Sequence, residues 1–298
     1  LKFLFNLTIN FLWIIFNSKQ AMFELRKKMK QRINFITYSD TSEFNISKKH
    51  LTSLAQESKF FDNVISYSRQ DLDDEFVKKY LNILKHERGG GYWLWKINII
   101  NKTLKEMKDN DILLYMDAGS SLNYFAKKRF YEYIQMINEV REIGNLRFES
   151  EKHHIEKIWT SKEVFSELKI SIDSEIGNST QLEGGHLLFK KNEHTLELLD
   201  TFIKVVDADN NLITDHYNNS IQIDGFEECR HDQSILSLLS KKHGCVRIEN
   251  ETDFRSREDM QFDYPILAVR KKGHGLKDRV KYSIFKNYYK KRPAYFNI

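Results

Sequence analysis

Only two prolines occur in the 298 residues, and glycine is held to twelve. Collagen-like repeats and mucin-like stalks need those residues in bulk, so both are excluded. Cysteine is equally scarce. Cys229 and Cys245 are the only two, and they form no C-x-x-C pair. A disulfide scaffold is thereby excluded, and neither a thiol–disulfide site nor a structural zinc site has its ligands. No internal repeat is present, and no Pro/Gly/Ser-rich linker divides the chain. A strong charge imbalance is missing too: 47 Lys and Arg face 42 Asp and Glu, for a net charge of +5. The tight basic clusters are Arg26-Lys27-Lys28, Lys127-Lys128-Arg129, Arg270-Lys271-Lys272 and Lys290-Lys291-Arg292. They are dispersed rather than gathered in one stripe, so no nucleic-acid partner is expected. A phosphate-bearing ligand or an anionic membrane surface would suit them.

What the chain does have is apolar mass. It is 41% hydrophobic and 13% aromatic, which supports a large core and excludes disorder. Residues 3–16 are nearly all apolar and are followed by basic residues at 26–32. That run is shorter than the ~20 residues a bilayer-spanning helix needs, and no small-residue cleavage site follows it. It reads as an extension that the fold does not need, with a membrane-surface anchor as the alternative. Three segments are expected: an apolar-then-basic extension (1–30), one catalytic domain (31–270) and a basic extension (271–298).

Short β-prone runs alternate with helical stretches. Residues 33–38, 63–67, 111–116, 186–189, 245–248 and 266–269 read as strands. Residues 47–58, 93–107, 125–140, 193–206 and 233–242 read as helices. Such alternation predicts an α/β domain with a mostly parallel central sheet flanked by helices. Ligands of such sheets bind at the carboxyl ends of the strands. That rule directs attention to Ser39-Asp40 and, above all, to Asp117.

Asp111-Ile112-Leu113-Leu114-Tyr115-Met116-Asp117-Ala118-Gly119 is a buried strand that ends in a carboxylate. Asp117 can hold a divalent metal or a ribose hydroxyl there, or it can simply cap the next turn. Gly119 permits a sharp turn and close approach of a ligand. In Arg88-Gly89-Gly90-Gly91-Tyr92-Trp93-Leu94-Trp95-Lys96, three flexible glycines adjoin large aromatics, with the Trp side chains read as core. Arg88 and Lys96 can meet phosphate oxygens. Gly184 and Gly185 precede an apolar strand and allow close approach of a second ligand. Glu183 is a candidate acid or base, and His186 reads as a hydrogen-bonded strand histidine. Asp232, at the head of an apolar helix, reads as its N-cap. His153 and His154, with Glu151 and Glu156 nearby, read as solvated surface rather than as a metal site.

Taken in order, these motifs resemble the nucleotide-sugar-dependent glycosyltransferases of the GT-A fold. The resemblance is to bacterial and viral enzymes of capsule or lipopolysaccharide synthesis and, more distantly, to the glycogenin-like retaining group. It runs from about Ile33 to Val269. It implies a GT-A (Rossmann-like) single domain, a nucleotide-sugar donor, and a glycan, lipid-linked or protein acceptor. It further implies a hexosyltransferase activity in polysaccharide biosynthesis, a cytoplasmic place at the inner face of a membrane, and peripheral membrane contact. Asp117 falls on the first Asp of that group's Asp-x-Asp motif, whose carboxylates bind Mn²⁺ or Mg²⁺; Gly119 stands where the second Asp belongs. Tyr38, Arg88, Lys96, Gly184 and Gly185 fall in donor-binding segments. Asp232 and Gln233 match an Asp-Gln pair near the sugar and acceptor and, with Glu183, form the implied catalytic set. His274, in His274-Gly275-Leu276-Lys277, matches a late metal ligand. The missing second Asp keeps a degenerate, non-catalytic nucleotide-sugar or glycan-binding module in view. An S-adenosylmethionine-dependent methyltransferase is a further alternative, although Ser39-Asp40-Thr41-Ser42 lacks the Gly-rich loop that class has after its first strand.

Overall fold

The computed structural model describes residues 31–253 and 263–269, and the architecture below belongs to the unit that begins at Ile33. The extensions expected at 1–30 and 271–298, the basic clusters within them and His274 lie outside the described residues.

Ile33–Tyr38 (β1) is a six-residue apolar run, buried along its whole length. Ser42–Ser58 (α1) follows, opened by Thr41, whose hydroxyl accepts from the Phe44 amide, and closed by Lys59 in a left-handed conformation. The helix starts five residues before the Ser47 expected from the sequence, because the Thr41 cap sets its first turn. Asn63–Tyr67 (β2) then pairs parallel to β1. Trp95–Glu106 (α2) leads into Ile112–Met116 (β3), which is wholly buried and pairs parallel to β1 on its other side. Ser121–Leu122 (β4), Lys127–Glu139 (α3) and Asn145–Glu149 (β5) come next. Leu182–Lys190 (β6), Glu193–Ala208 (α4), His231–His243 (α5), Val246–Ile248 (β7) and Ile266–Leu267 (β8) complete the main elements.

The large sheet has the order β2-β1-β3-β6-β5-β7, and β4 pairs with β8 in a separate ladder. Pairing is parallel for β1 with β2, β1 with β3 and β5 with β7, and antiparallel where β6 meets β3 and β5. Five strands therefore run one way and β6 alone runs against them. This is the expected α/β architecture with a mostly parallel sheet. Its centre is dry: Leu113, Leu114, Tyr115, Leu187 and Phe189 are all fully buried. Each such aliphatic or Phe side chain contributes on the order of 1.5–3 kcal/mol.

Three features place the site. The chain leaves β1 toward β2 and returns to β3 on the other side, so the carboxyl ends of β1 and β3 flank a crevice at a switch in strand order. The reversed β6 pairs His186 with Met116, bringing its own amino-terminal half to the carboxyl end of β3. Helix α5 packs on β6 through a polar stripe. Ser237 Oγ accepts from the Leu182 amide at 2.7 Å, and Ser240 Oγ accepts from buried Arg147 at 2.7 Å. Among the described residues, no helix is long and apolar enough to cross a membrane.

Candidate active site

The crevice opens into a cleft of about 530 Å³, within the roughly 300–1,000 Å³ usual for small-molecule sites. Asp117 lies on its floor, one residue beyond β3. Its amide donates to Gly185 O at 2.9 Å, which ties the turn to β6. Its Oδ1 accepts from Tyr115 Oη at 2.5 Å. Burial, and then the neighbouring Asp117 charge, push the Tyr115 hydroxyl well above its ordinary pKa, so it remains a donor. Asp117 Oδ2 would stand 2.9 Å from any Cβ at position 185. Gly185 thus leaves room for that oxygen at the cleft, and the Asp117 side chain is 41% exposed.

Behind Asp117 lies a buried ion pair. Lys96 Nζ donates to Asp232 Oδ2 at 2.6 Å and to Gly184 O at 2.8 Å, and stands 3.7 Å from Asp117 Oδ1. Burial disfavours the Lys96 charge, but Asp232 and Asp117 together outweigh it and hold the ammonium above its ordinary pKa. Asp232 has one cation against a full desolvation penalty. Burial wins there and lifts its carboxyl to about 6, despite Lys96 at hydrogen-bond distance. The two partners shift unequally because Lys96 is shared between two carboxylates. Lys96 is only 2% exposed. It holds Asp232 and stands beside Asp117 from behind the cleft rather than lining it.

Gln233, next in the helix, fixes the opposite wall. Its Oε1 accepts from the Gly184 amide at 2.9 Å, and its Nε2 donates to Gln181 Oε1 at 2.6 Å. A Cβ on Gly184 would stand 2.9 Å from Gln233 Cβ. Both glycines of the pair are thus required by close approach. Asp232 is not the N-cap expected of it: that position falls to Arg230, and the Asp232 side chain turns to Lys96.

The aromatic wall comes from β1 and the segment before α2. Tyr38 stacks on Trp95 with ring centroids 3.8 Å apart, and Tyr38 Oη donates to Asp40 Oδ2 at 3.2 Å. Trp93 and Trp95 both line the cleft, so the core reading of the tryptophans is half the account. The Gly89–Tyr92 turn is not a flexible loop. Gly89, Gly90, Gly91, Tyr92 and Trp93 all have positive φ, winding one left-handed turn in which the Tyr92 and Trp93 amides donate to Arg88 O and Gly89 O. Tyr92 and Trp93 each cost roughly 1–2 kcal/mol in that conformation. Tyr92 burial, Trp93 stacking on His231 and the Trp95 Nε1 bond to Gly89 O (2.8 Å) offset it. Arg88, expected near the donor phosphates, instead pairs with Glu228 at 2.9 Å and Asp215 at 3.3 Å and does not line the cleft.

The far wall holds groups the sequence did not bring together. His186 Nδ1 bonds Glu183 Oε2 at 2.8 Å, and His186 Nε2 bonds Ser120 Oγ at 2.8 Å. Thr252 Oγ1 donates to Glu183 Oε1 at 2.6 Å, and Arg147 donates to Glu183 O at 2.5 Å. His154 is buried rather than solvated. It bonds Ser150 Oγ and the Arg230 guanidinium, each at 2.8 Å, and Arg230 lies 4.2 Å from the centre of the Trp159 ring. Arg230 is, among the described residues, the one cationic side chain lining the cleft. Nothing in the sequence marked it, because its environment comes from three separate segments.

A divalent cation suits this charge balance. Among the described residues, Asp40, Glu87, Asp117, Glu151, Glu183 and Asp253 line the cleft against one guanidinium, so added positive charge would favour the entry of a diphosphate. Magnesium-type sites manage with one or two protein carboxylates when substrate phosphates and water complete the shell. Asp117 fits as that ligand, and Gly119 supplies none. A second grouping, Glu151, His153 and His154, has ligand atoms within 4.8 Å of one another. Both His154 nitrogens are already hydrogen-bonded there, so a metal would have to break one of those bonds.

No family model matches the sequence, and no curated protein does. Among solved structures, the chain is similar to a glycosyltransferase involved in glycosylation of the major capsid of PBCV-1. That match has 10% identity and a TM-score of 0.48, covering 84% of this chain and 99% of that one. Mouse xyloside xylosyltransferase 1 matches at 11% identity and a TM-score of 0.43, over 78% of this chain and 93% of that one. The galactosyltransferase LgtC, in complex with donor and acceptor sugar analogues, matches at 9% identity and a TM-score of 0.39, over 74% of each chain. At such identities the chemistry of the cleft rests on its own residues.

Proposed function

We propose that the protein is a glycosyltransferase that moves a sugar, a hexose in this reading, from a nucleotide-diphosphate donor to a glycan, lipid-linked or protein acceptor. The observation that carries the reading is the floor of the cleft. A partly exposed carboxylate, Asp117, is fixed by Tyr115 and a buried Lys96–Asp232 pair at the switch in strand order, beside two glycines that make room for the Asp117 carboxylate and the Gln233 side chain. Transfer needs the diphosphate's departing charge stabilised and the sugar held rigidly. A Mn²⁺ or Mg²⁺ ion held by Asp117 would supply most of that stabilisation as a Lewis acid. Arg230 adds a second positive charge to the cleft. The Tyr38–Trp95 stack offers an aromatic face for the base, with Asp40 beside it as an acceptor. Gln233 lines the sugar end of the cleft, and the buried Asp232–Lys96 pair braces it from behind through Gly184.

The test is donor turnover against a panel of UDP, GDP and CDP sugars with Mn²⁺. Asp117→Asn should lower turnover at least 100-fold with the fold intact. Unchanged turnover in that variant would remove Asp117 from the site and the proposal with it.

A further inference from the structure

Among the described residues, two serine–histidine contacts face the cleft, and they differ in which way the proton points. At Ser150, the partner His154 also bonds Arg230. A guanidinium only donates, so His154 Nε2 accepts, Nδ1 carries the hydrogen, and His154 donates to Ser150. That histidine cannot take a proton from its serine. At Ser120 the order is reversed. His186 Nδ1 faces Glu183 Oε2, an acceptor, so Nδ1 carries the hydrogen and Nε2 presents its lone pair to the Ser120 hydroxyl. Thr252 donates to the other Glu183 oxygen and Arg147 to its carbonyl, which pins the carboxylate and the strand that bears it. Ser120 and His186 are each 3% exposed, and both line the cleft together with Glu183. The Ser120 amide donates to Asp117 O at 2.9 Å, so the hydroxyl belongs to the same tight turn as the donor-site carboxylate. A serine, a histidine and a carboxylate joined in this order constitute a base-assisted hydroxyl.

We infer that Ser120, His186 and Glu183 form the proton relay that deprotonates the acceptor hydroxyl, an inference that rests on the transferase reading above. As the acceptor oxygen bonds to the anomeric carbon, its proton passes to Ser120 Oγ and the Ser120 proton passes to His186 Nε2. The bond from the anomeric carbon to the diphosphate oxygen breaks, and its electron pair leaves with the nucleoside diphosphate. Glu183 stabilises the imidazolium, which then returns its proton to water. Ser120 touches the acceptor; Glu183 acts through His186 as a positioning residue.

The decisive variant is His186→Gln. Its amide offers a donor for Glu183 and an acceptor for Ser120 but no nitrogen that can take a proton. Transfer should fall about 10²–10⁴-fold in kcat, with donor KM unchanged, as expected for loss of a general base. His186→Ala should be equally impaired and should recover activity with added imidazole, which a merely structural histidine would not allow. Full kcat in His186→Gln would overturn the relay and leave the transferase reading standing. Failure of that reading is distinct: the wild type itself would neither bind nor consume any sugar nucleotide, and the relay would fall with it.

Discussion

Asp232→Asn tests the buried ion pair through the pH dependence of stability. In the folded protein the Asp232 carboxyl is pushed up to about 6 from an ordinary 3.8, chiefly by burial. A carboxyl raised on folding binds its proton more tightly in the native state. Its stability contribution is therefore fully present below about pH 3.8 and is lost as pH rises through about 6. At 1.36 kcal/mol per pKa unit the loss is about 3 kcal/mol in all, roughly half of it between pH 5 and 7.5. Lys96, held above its ordinary value, stays charged throughout this window and adds no slope. Asparagine does not titrate, so subtracting the variant's stability from the wild type's at each pH removes the groups that are not coupled to Asp232. Urea unfolding from pH 5 to 7.5 should show the wild type losing about 1–2 kcal/mol relative to Asp232→Asn, about half a molar in midpoint. A difference that does not change with pH would mean that Lys96 fully offsets the desolvation of Asp232.

Two further substitutions probe other parts of the framework. Gly185→Ala places a Cβ 2.9 Å from Asp117 Oδ2, so the carboxylate must move; donor kcat/KM should drop tenfold or more in steady-state assays while the unfolding midpoint changes little. Lys241→Met strands Glu156, which is fully buried and bonded to both Lys241 and Ser237. That loss should cost about 3–5 kcal/mol in denaturant unfolding, since an unpaired buried charge remains.

The strand framework was largely legible because buried strands carry their own signal. Ile112–Met116 is an unbroken apolar run ending in Asp, and both its burial and its carboxylate follow from that pattern. Asn145–Glu149 is absent from the strands expected above although NLRFE carries the alternation of a half-buried strand, and both of its faces are buried: Asn145 and Arg147 lie fully buried against Ser240 of α5. Only tertiary partners make those polar side chains acceptable inside. The antiparallel sense of β6 was equally unreadable, since direction is set by connections and not by composition. At the site, Asp117, Glu183, Gly185, Gln233 and Tyr38 line one cleft. Lys96 and Asp232 sit just behind it as a pair. Arg88 pairs elsewhere, and Ser120, His154 and Arg230 join the cleft through contacts between distant segments.

Thermal unfolding of the purified protein against UDP, GDP and CDP sugars, each with and without Mn²⁺, tests the central claim most directly. At 100 times its dissociation constant a ligand adds about 2.7 kcal/mol. For a domain of this size that raises the midpoint by about 5–10 °C. The acidic cleft and the lone Asp117 carboxylate predict a rise with one class of sugar nucleotide, dependent on Mn²⁺ and lost in Asp117→Asn. No rise with any sugar nucleotide, metal present or absent, would contradict the account.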